Sequence, residues 1–410
     1  MKLIDDLEWR GLIHQCSNKE ELDKLLDSES ITLYCGFDPT ADSLHVGHLI
    51  PMISLMRFKQ HGHNPLALIG GATGFIGDPS GKSQERVALM EEVVLHNSEA
   101  IGKQLASITQ VKTVNNLDWT KNMSVIDFMR HIGKNFSIGA MLARDSVSSR
   151  LNGDGLSFTE FSYMLFQGND YLHLAKKFNC QLQIGGSDQF GNMCSGLDLL
   201  RRNQKEGFAL TFPLLTKSDG TKFGKSEKGS VWLDANKTSP WEFFQFWLNT
   251  ADADVVKLLK LYTFLSHEKI SELEDSTINR PELRAAQKAL AVEMTTLIHG
   301  AEMCQSVQEV AELLFSGKKF ELSDTGINIL KAIIPVSEKN LTNIQELKQV
   351  LVETELLGSM TKATQAIKEN SVNVLELGKE AVKITEDMKE FQFSKPILIK
   401  KGKKHFALVI

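Results

Sequence analysis

An apolar run from Ile31 to Phe37 is followed, across a turn at Asp38-Pro39, by apolar residues at helical spacing: Val46, Leu49, Ile50, Ile53 and Met56. This pattern predicts a strand, a turn and an amphipathic helix. Pro51 places the helix start near Gly47, because proline is tolerated only in the first helical turn. Asn64–Ile69 reads as a second strand, parallel to the first and closed by Gly70-Gly71. Upstream, residues 5–27 read as an amphipathic helix or helix pair. From about Ser98 to Gly155 the spacing is helical, with Phe128, Ile132, Phe136, Ile138, Met141 and Leu142 supplying apolar surface. Ser157-Phe-Thr-Glu160 reads as a capping box opening another helix. Residues 181–192 predict a strand, a diglycine turn and a helix from near Asp188, and Ala209–Leu215 reads as a further strand.

Beyond residue 228 the period changes. Ser239-Pro-Trp-Glu242 combines a cap, a proline at the first helical position and an acid in the first turn. Helical spacing then runs to Phe315 with no strand evident. Residues 316–325 read as a linker. The tail mixes short helices, one near Ser359–Glu369, with strands at Pro396–Ile399 and His405–Ile410.

Composition narrows the class. A chain of 410 residues is long for one core, so two or three domains are expected. No run of about 18 uncharged apolar residues exists, so no membrane span is expected. The acidic, amphipathic start, Met-Lys-Leu-Ile-Asp-Asp-Leu-Glu, is unlike a signal peptide. Five cysteines, none in a Cys-x-x-Cys pair, point to reduced thiols in a cytoplasm, without a disulfide frame or zinc knuckle. A net charge of −5 argues against a protein that coats nucleic acid, DNA included. Residues 326–410 carry 13 lysines against 10 acids, a small excess of opposite sign.

The candidate chemistry gathers on the first strand–turn–helix. A helix N-terminus with unpaired amides favours phosphate, and His45 and His48 can donate hydrogen bonds there. Gly47 would let a flat ring lie against the backbone. Two histidines at this spacing could also be metal ligands, but no Cys or further His lies nearby to complete a set. The segment Gly-Gly-Ala-Thr-Gly-Phe-Ile-Gly-Asp-Pro-Ser-Gly-Lys-Ser from Gly70 is not a P-loop, since Ile76 stands where the first glycine belongs. It reads as a glycine-rich loop approaching a ligand, with Asp78 for a cationic amine and Lys82 and Arg86 for phosphate or RNA. Tyr163, Gln167 and Asp170 fall at i, i+4 and i+7, a polar stripe on an otherwise apolar helix. Asp188 beside Gly185-Gly186 suits a ribose. Lys222 and Lys225, in a glycine-bearing loop, can close as mobile point charges on phosphate.

Together the His45-Val-Gly-His48 and Lys222-Phe-Gly-Lys-Ser226 stretches resemble the two signatures of class I aminoacyl-tRNA synthetases, specifically the bacterial-type tyrosyl family. The resemblance covers nearly the whole chain. It implies an α/β fold: a Rossmann-like parallel-sheet catalytic domain over 1–228, with a helical dimerisation insertion at about 115–160. An all-α anticodon-side domain over 229–318 and a small α+β RNA-binding domain over 326–410 complete it. It further implies ligation of tyrosine to tRNA(Tyr) through an adenylate made from ATP, with Mg²⁺ on the phosphates, no protein-bound metal and a homodimer. By resemblance His45, His48, Thr40, Lys82, Lys222 and Lys225 are catalytic. Tyr34, Asp78, Tyr163, Gln167, Asp170, Gln183 and Gln189 bind tyrosine. Cys35, Gly36, Asp38, Gly47, His48, Gly185, Asp188 and Lys225 bind ATP. A tryptophanyl relative or a small-molecule nucleotidyltransferase would share the histidines, and an RNA-binding protein could keep the shape without the activity.

Overall fold

The computed structural model describes residues 1–80, 89–151, 155–215, 218, 223–226, 229–316, 322–402 and 405–410, leaving aside the side chains of Asp145, Ser146, Ser149, Lys225 and Ser226. Its contacts divide into two compact units, residues 1–238 with 246–290, and residues 239–245 with 291–410. The helical stretch expected over 229–318 is thus shared between the units.

The first unit is built on a six-stranded sheet. Its strands are β1 (Gln15–Cys16), β2 (Thr32–Phe37), β3 (Asn64–Ile69), β4 (Lys112–Asn115), β5 (Cys180–Gly186) and β6 (Phe208–Phe212), in the order β1-β6-β5-β2-β3-β4. All neighbours are parallel except β1, which runs antiparallel to β6. Strand order reverses between β2 and β5, and ligands of such sheets bind at the carboxyl ends of the strands beside that reversal. The register sets Tyr34 of β2 directly beside Gln183 of β5.

Helix Leu49–Gln60 follows β2 through a short turn of 3₁₀ helix at Val46–His48. Its far end is tied down by buried charge. Asp6 accepts from Arg10 Nε at 2.8 Å, lies 2.9 Å from His267 Nε2 and pairs with Arg57 at 3.5 Å. Burial opposes ionisation of Asp6, but the His267 hydrogen bond and the two guanidinium charges outweigh it and hold its pKa below the usual range. Both arginines also donate to the carbonyl of Thr263, which follows helix Asp252–Tyr262.

Several local expectations change. β1 and β4 interrupt stretches whose spacing reads as helical. Helix Phe158–Phe178 runs unbroken through Gly168, where a Cβ would meet the Phe136 ring at 2.9 Å. Ser157 caps it through the Glu160 amide at 3.2 Å, but Glu160 does not close a box. Its carboxylate turns instead to Arg150, 2.9 Å away, both side chains being buried. The glycine-rich stretch after β3 contains a helical turn, Thr73–Ile76. A Cβ on Gly70, Gly71 or Gly74 would strike Asp38, Asn115 or Pro39, so these glycines make room for protein rather than for a ligand alone.

The second unit carries a five-stranded sheet. With β7 (Lys225–Ser226) and β8 (Gly229–Ser230) forming a small hairpin in the first unit, its strands are β9 (Val336–Ser337), β10 (Val372–Glu376), β11 (Val382–Lys383), β12 (Ile397–Lys401) and β13 (His405–Val409). The order is β11-β10-β12-β13-β9, antiparallel except for β13 with β9. Helices Ile344–Glu353 and Met360–Lys368 pack on one core, while helix Ala301–Ser316 joins Leu398, Phe406 and Leu408 in another. Among the described residues no helix is long and apolar enough to cross a membrane.

Candidate active site

The carboxyl ends of β2, β3, β5 and β6 open into one cavity of about 590 Å³, wholly within the first unit. That is an ordinary size for a small-molecule site. Its wall includes Tyr34, Cys35, Gly36, Asp38, Thr40, Gly47 and His48 from the first strand–turn–helix. Asp78, the helix residues Tyr163, Gln167 and Asp170, and Gln183, Gly185, Asp188 and Gln189 complete it.

One end of the wall is buried and polar. Asp170 is 2% exposed and accepts from Asn116 Nδ2 and Trp119 Nε1, both at 2.9 Å. Burial pushes its pKa up to about 7, against those two donors and with the Asp38 charge adding to the rise. The Tyr34 hydroxyl is buried without a hydrogen-bond partner among the described residues. Burial, and then the charge of Asp170, raise its pKa well above the ordinary phenol value. Gln167 Oε1 and Gln183 Oε1 are likewise buried acceptors without partners among the described residues. A buried polar atom left unpaired is unfavourable, and this cavity concentrates three such groups that a polar ligand would satisfy.

Asp78 stands further along, accepting from Gln189 Nε2 at 2.6 Å, the Ser80 amide at 3.0 Å and Asn192 Nδ2 at 3.4 Å. Tyr163 donates to Asp38 Oδ2 at 3.0 Å, while Thr73 donates to Asp38 Oδ1 at 2.8 Å.

At the first helix, the two imidazoles lock each other. The His45 amide donates to His48 Nδ1 at 3.2 Å, and the Gly47 amide donates to His45 Nδ1 at 3.0 Å. Each neutral ring therefore keeps its proton on Nε2, as a donor. Burial, reinforced by the His45 charge, drops the His48 pKa to about 3, so His48 acts as a neutral donor at pH 7. The ring that lies against Gly47 is His45 itself: a Cβ on Gly47 would sit 2.7 Å from His45 Cε1. His48 lines the cavity, whereas His45 stands behind it between His48 and the edge of Trp232.

The lysine loop returns to this same helix start. The Val46 amide donates to the Val231 carbonyl at 3.0 Å, and the Val231 amide to Gly224 at 3.1 Å. Gly224 has φ +89°, and a Cβ there would fall 2.8 Å from Val46 and 3.6 Å from the Gly47 amide nitrogen. The backbone before Lys225 thus abuts the first signature. Lys82 and Lys222 lie outside the described residues, as does the Lys225 side chain.

A family model described as "tRNA synthetases class I (W and Y)" matches residues 26–316. Tyrosine–tRNA ligase 1 of Bacillus cereus (strain ZK / E33L) is 47% identical over 418 residues, covering 100% of both chains. The enzyme of that name from Bacillus subtilis (strain 168) is 47% identical over 420 residues, 99% of each. The chain belongs to the class I tyrosyl-tRNA synthetases. Among solved structures, a C-terminally truncated Aspergillus nidulans mitochondrial tyrosyl-tRNA synthetase matches with a TM-score of 0.70 and 32% identity, over 77% of this chain and 94% of that one.

In this tyrosyl-tRNA synthetase several cavity residues have no signal at the level of motif. Asn116 and Trp119, which hold Asp170, follow the C-terminal end of the unforeseen strand β4. Position at a strand end of a parallel sheet was the one clue available. Asn192 and Ser80 support Asp78, and Pro213, Leu214 and Leu215 supply an apolar wall where the expected strand has already ended at Phe212. Phe223, beside Gly224, and Tyr262, their ring centroids 5.7 Å apart, also line the cavity.

Proposed function

We propose that the cavity holds tyrosine and ATP side by side, with the tyrosine phenol against Tyr34 and Asp170. The observation that carries this reading is a pair: a buried hydroxyl lacking a partner and a buried carboxylate, on opposite elements of one cavity. A phenol can donate to Asp170 and accept from Tyr34, which a benzyl or indole side chain cannot do in the same place. Asp78, Tyr163 and Gln167 supply the negative and acceptor groups an ammonium requires, and Gln183 and Gln189 border the same substrate. Cys35, Gly36, Asp38, Gly47, Gly185 and Asp188 receive the nucleotide. Gly36 leaves open space above its Cα, which suits a flat or bulky ligand.

Tyrosine activation needs no base, because the carboxylate is already ionised at neutral pH. Its oxygen forms a bond to the α-phosphorus as the bond to the pyrophosphate oxygen breaks. The protein's part is to align the two and to stabilise charge on the departing phosphates. His48 Nε2–H, positioned by His45, donates from the helix start, with Thr40 beside it. Lys82, Lys222 and Lys225 are proposed to add positive charge. Mg²⁺ is proposed to arrive with the triphosphate and to neutralise part of its charge. Among the described residues no three or more His, Cys, Asp or Glu side chains converge as a metal site. A terminal ribose hydroxyl of tRNA(Tyr) then attacks the tyrosyl carbonyl carbon, AMP leaves as the acyl–phosphate bond breaks, and the hydroxyl proton passes to the leaving phosphate or to water.

The helical stretch over 229–318 is proposed to face the anticodon stem, and the sheet within 326–410, with its lysine excess, to contact RNA. A homodimer is proposed through the insertion, where Val125, Ile126, Ile138 and Phe158 are each at least 68% exposed. Large apolar side chains exposed along one segment support a protein interface there. A cytoplasmic location fits five free cysteines. The test is exchange of labelled pyrophosphate into ATP with tyrosine, phenylalanine, tryptophan or no amino acid. Exchange driven by tyrosine alone supports the reading, and equal exchange with tryptophan overturns it.

A further inference from the structure

The two donors that hold Asp170 are not equally secured. Asn116 is pinned through both ends of its amide: the Ala72 amide donates to its Oδ1 at 2.6 Å, and its Nδ2 also reaches Thr73 Oγ1 at 3.2 Å. Trp119 sits on the four-residue helix Leu117–Thr120, whose first amide donates to Asn115 Oδ1 at 2.9 Å and which has no fully buried residue. Such a short turn cannot by itself fix the two side-chain torsions of an indole. What meets the face of that indole is His173, with ring centroids 4.3 Å apart and planes 10° from parallel. His173 lies three residues beyond Asp170 on helix Phe158–Phe178, so it rises beside the carboxylate it would serve. Its Nε2 is buried and has no hydrogen-bond partner among the described residues.

We propose that His173 is a positioning residue for tyrosine recognition: its ring holds the Trp119 indole in the orientation that aims Nε1–H at Asp170. The proposal rests on the reading of Asp170 as the acceptor of the substrate phenol. Without the stack, one face of the indole loses its support, its orientation loosens within the packing that remains against the core, and its hydrogen bond to Asp170 weakens. The charged and titratable neighbours are few. Lys177 and Lys176 lie near His173 on its own helix and, after burial, favour its neutral form. Asp170 faces Asp38 beyond β2 and Tyr34 on β2. Losing an N–H donor disfavours the ionised carboxylate, so the Asp170 titration moves to higher pH.

The experiment measures tyrosine-dependent pyrophosphate exchange and its pH profile in the full chain and in His173→Ala, His173→Phe and Asp170→Ala. His173→Ala should raise KM for tyrosine about tenfold, the order expected for weakening one charge-assisted hydrogen bond, with KM for ATP little changed. The acid limb of kcat/KM for tyrosine should move to higher pH. His173→Phe, which keeps a flat ring but cannot titrate, should restore both. Parental KM and pH limb in His173→Ala overturn the proposal, provided Asp170→Ala raises KM for tyrosine. Equal losses toward tyrosine and ATP that phenylalanine does not rescue also overturn it, showing a merely structural role. Unchanged tyrosine KM in Asp170→Ala would instead remove the reading of Asp170 on which it stands.

Discussion

The Tyr163 hydroxyl donates to Asp38 Oδ2 at 3.0 Å, joining positions 125 residues apart. Tyr163 belongs to the helix proposed to read the amino acid, and Asp38 to the turn proposed to receive the nucleotide. The two halves of the site therefore share a hydrogen bond. Tyr163→Phe removes the donor while keeping the ring. It should raise KM for tyrosine and for ATP together, each by a few-fold to about tenfold. Steady-state exchange with each substrate varied in turn measures this, and a change confined to tyrosine would argue against coupling.

Asp170 sets a pH dependence. With its pKa near 7, kcat/KM for tyrosine should fall on the acid side with an apparent pKa close to that value. The same shift bears on stability with opposite sign. The carboxyl is raised in the folded chain, so the folded state binds its proton more tightly than the unfolded state does. Stability contributed here is full below the unfolded value of 3.8 and is lost as pH rises through about 7. The loss is at most about 4 kcal/mol, reduced by whatever solvent the empty cavity admits. Asp170→Asn cannot ionise, so its Tm relative to the parent should climb from pH 5 to pH 8. A difference that stays flat across that range would contradict the assignment.

Gly224 joins the two signatures through a positive φ and a tight approach to Val46. A methyl group there meets both obstacles, at a strain of about 1–3 kcal/mol. Gly224→Ala should slow adenylate formation by ten- to a hundredfold or so in single-turnover assays, with tyrosine affinity nearly intact. Loss of tyrosine binding instead would show that the loop supports the amino-acid pocket.

Much of this site could be read before the fold was seen, and the reason is locality. The strand, the Asp38-Pro39 turn, the glycine and the histidines lie within 18 residues, and the 163/167/170 stripe needs only the helical period. What escaped depends on contacts between distant segments. Trp119 and Asn116 meet Asp170 across more than 50 residues. β1 is two residues long and is defined by its pairing with β6, so its own pattern carries no strand signal. Glu160 satisfies the capping-box spacing, yet a buried Arg150 outcompetes the backbone for its carboxylate. The glycines after β3 were readable as glycines that must be bare, but only the fold names Asp38, Asn115 and Pro39 as the groups they admit.

The exposed apolar residues of the insertion give a separate test. Ile126→Asp places a charge next to exposed Val125, in the segment that also exposes Ile138 and Phe158. On the proposed homodimer through the insertion, light scattering after size-exclusion chromatography should read a dimer for the parent and a monomer for this variant, since an unpaired charge at an interface core is costly. An unchanged mass would place the dimer contact elsewhere.

The central claim is that the phenol of the substrate is read by Asp170 against Tyr34. It is tested most directly by comparing kcat/KM for adenylate formation with tyrosine and with phenylalanine, in the parent and in Asp170→Ala. The parent should strongly prefer tyrosine, whose hydroxyl satisfies groups that phenylalanine leaves buried and unpaired. In Asp170→Ala the value for tyrosine should fall most of the way to that for phenylalanine, with KM for ATP little altered. Undiminished preference for tyrosine in that variant would contradict the account.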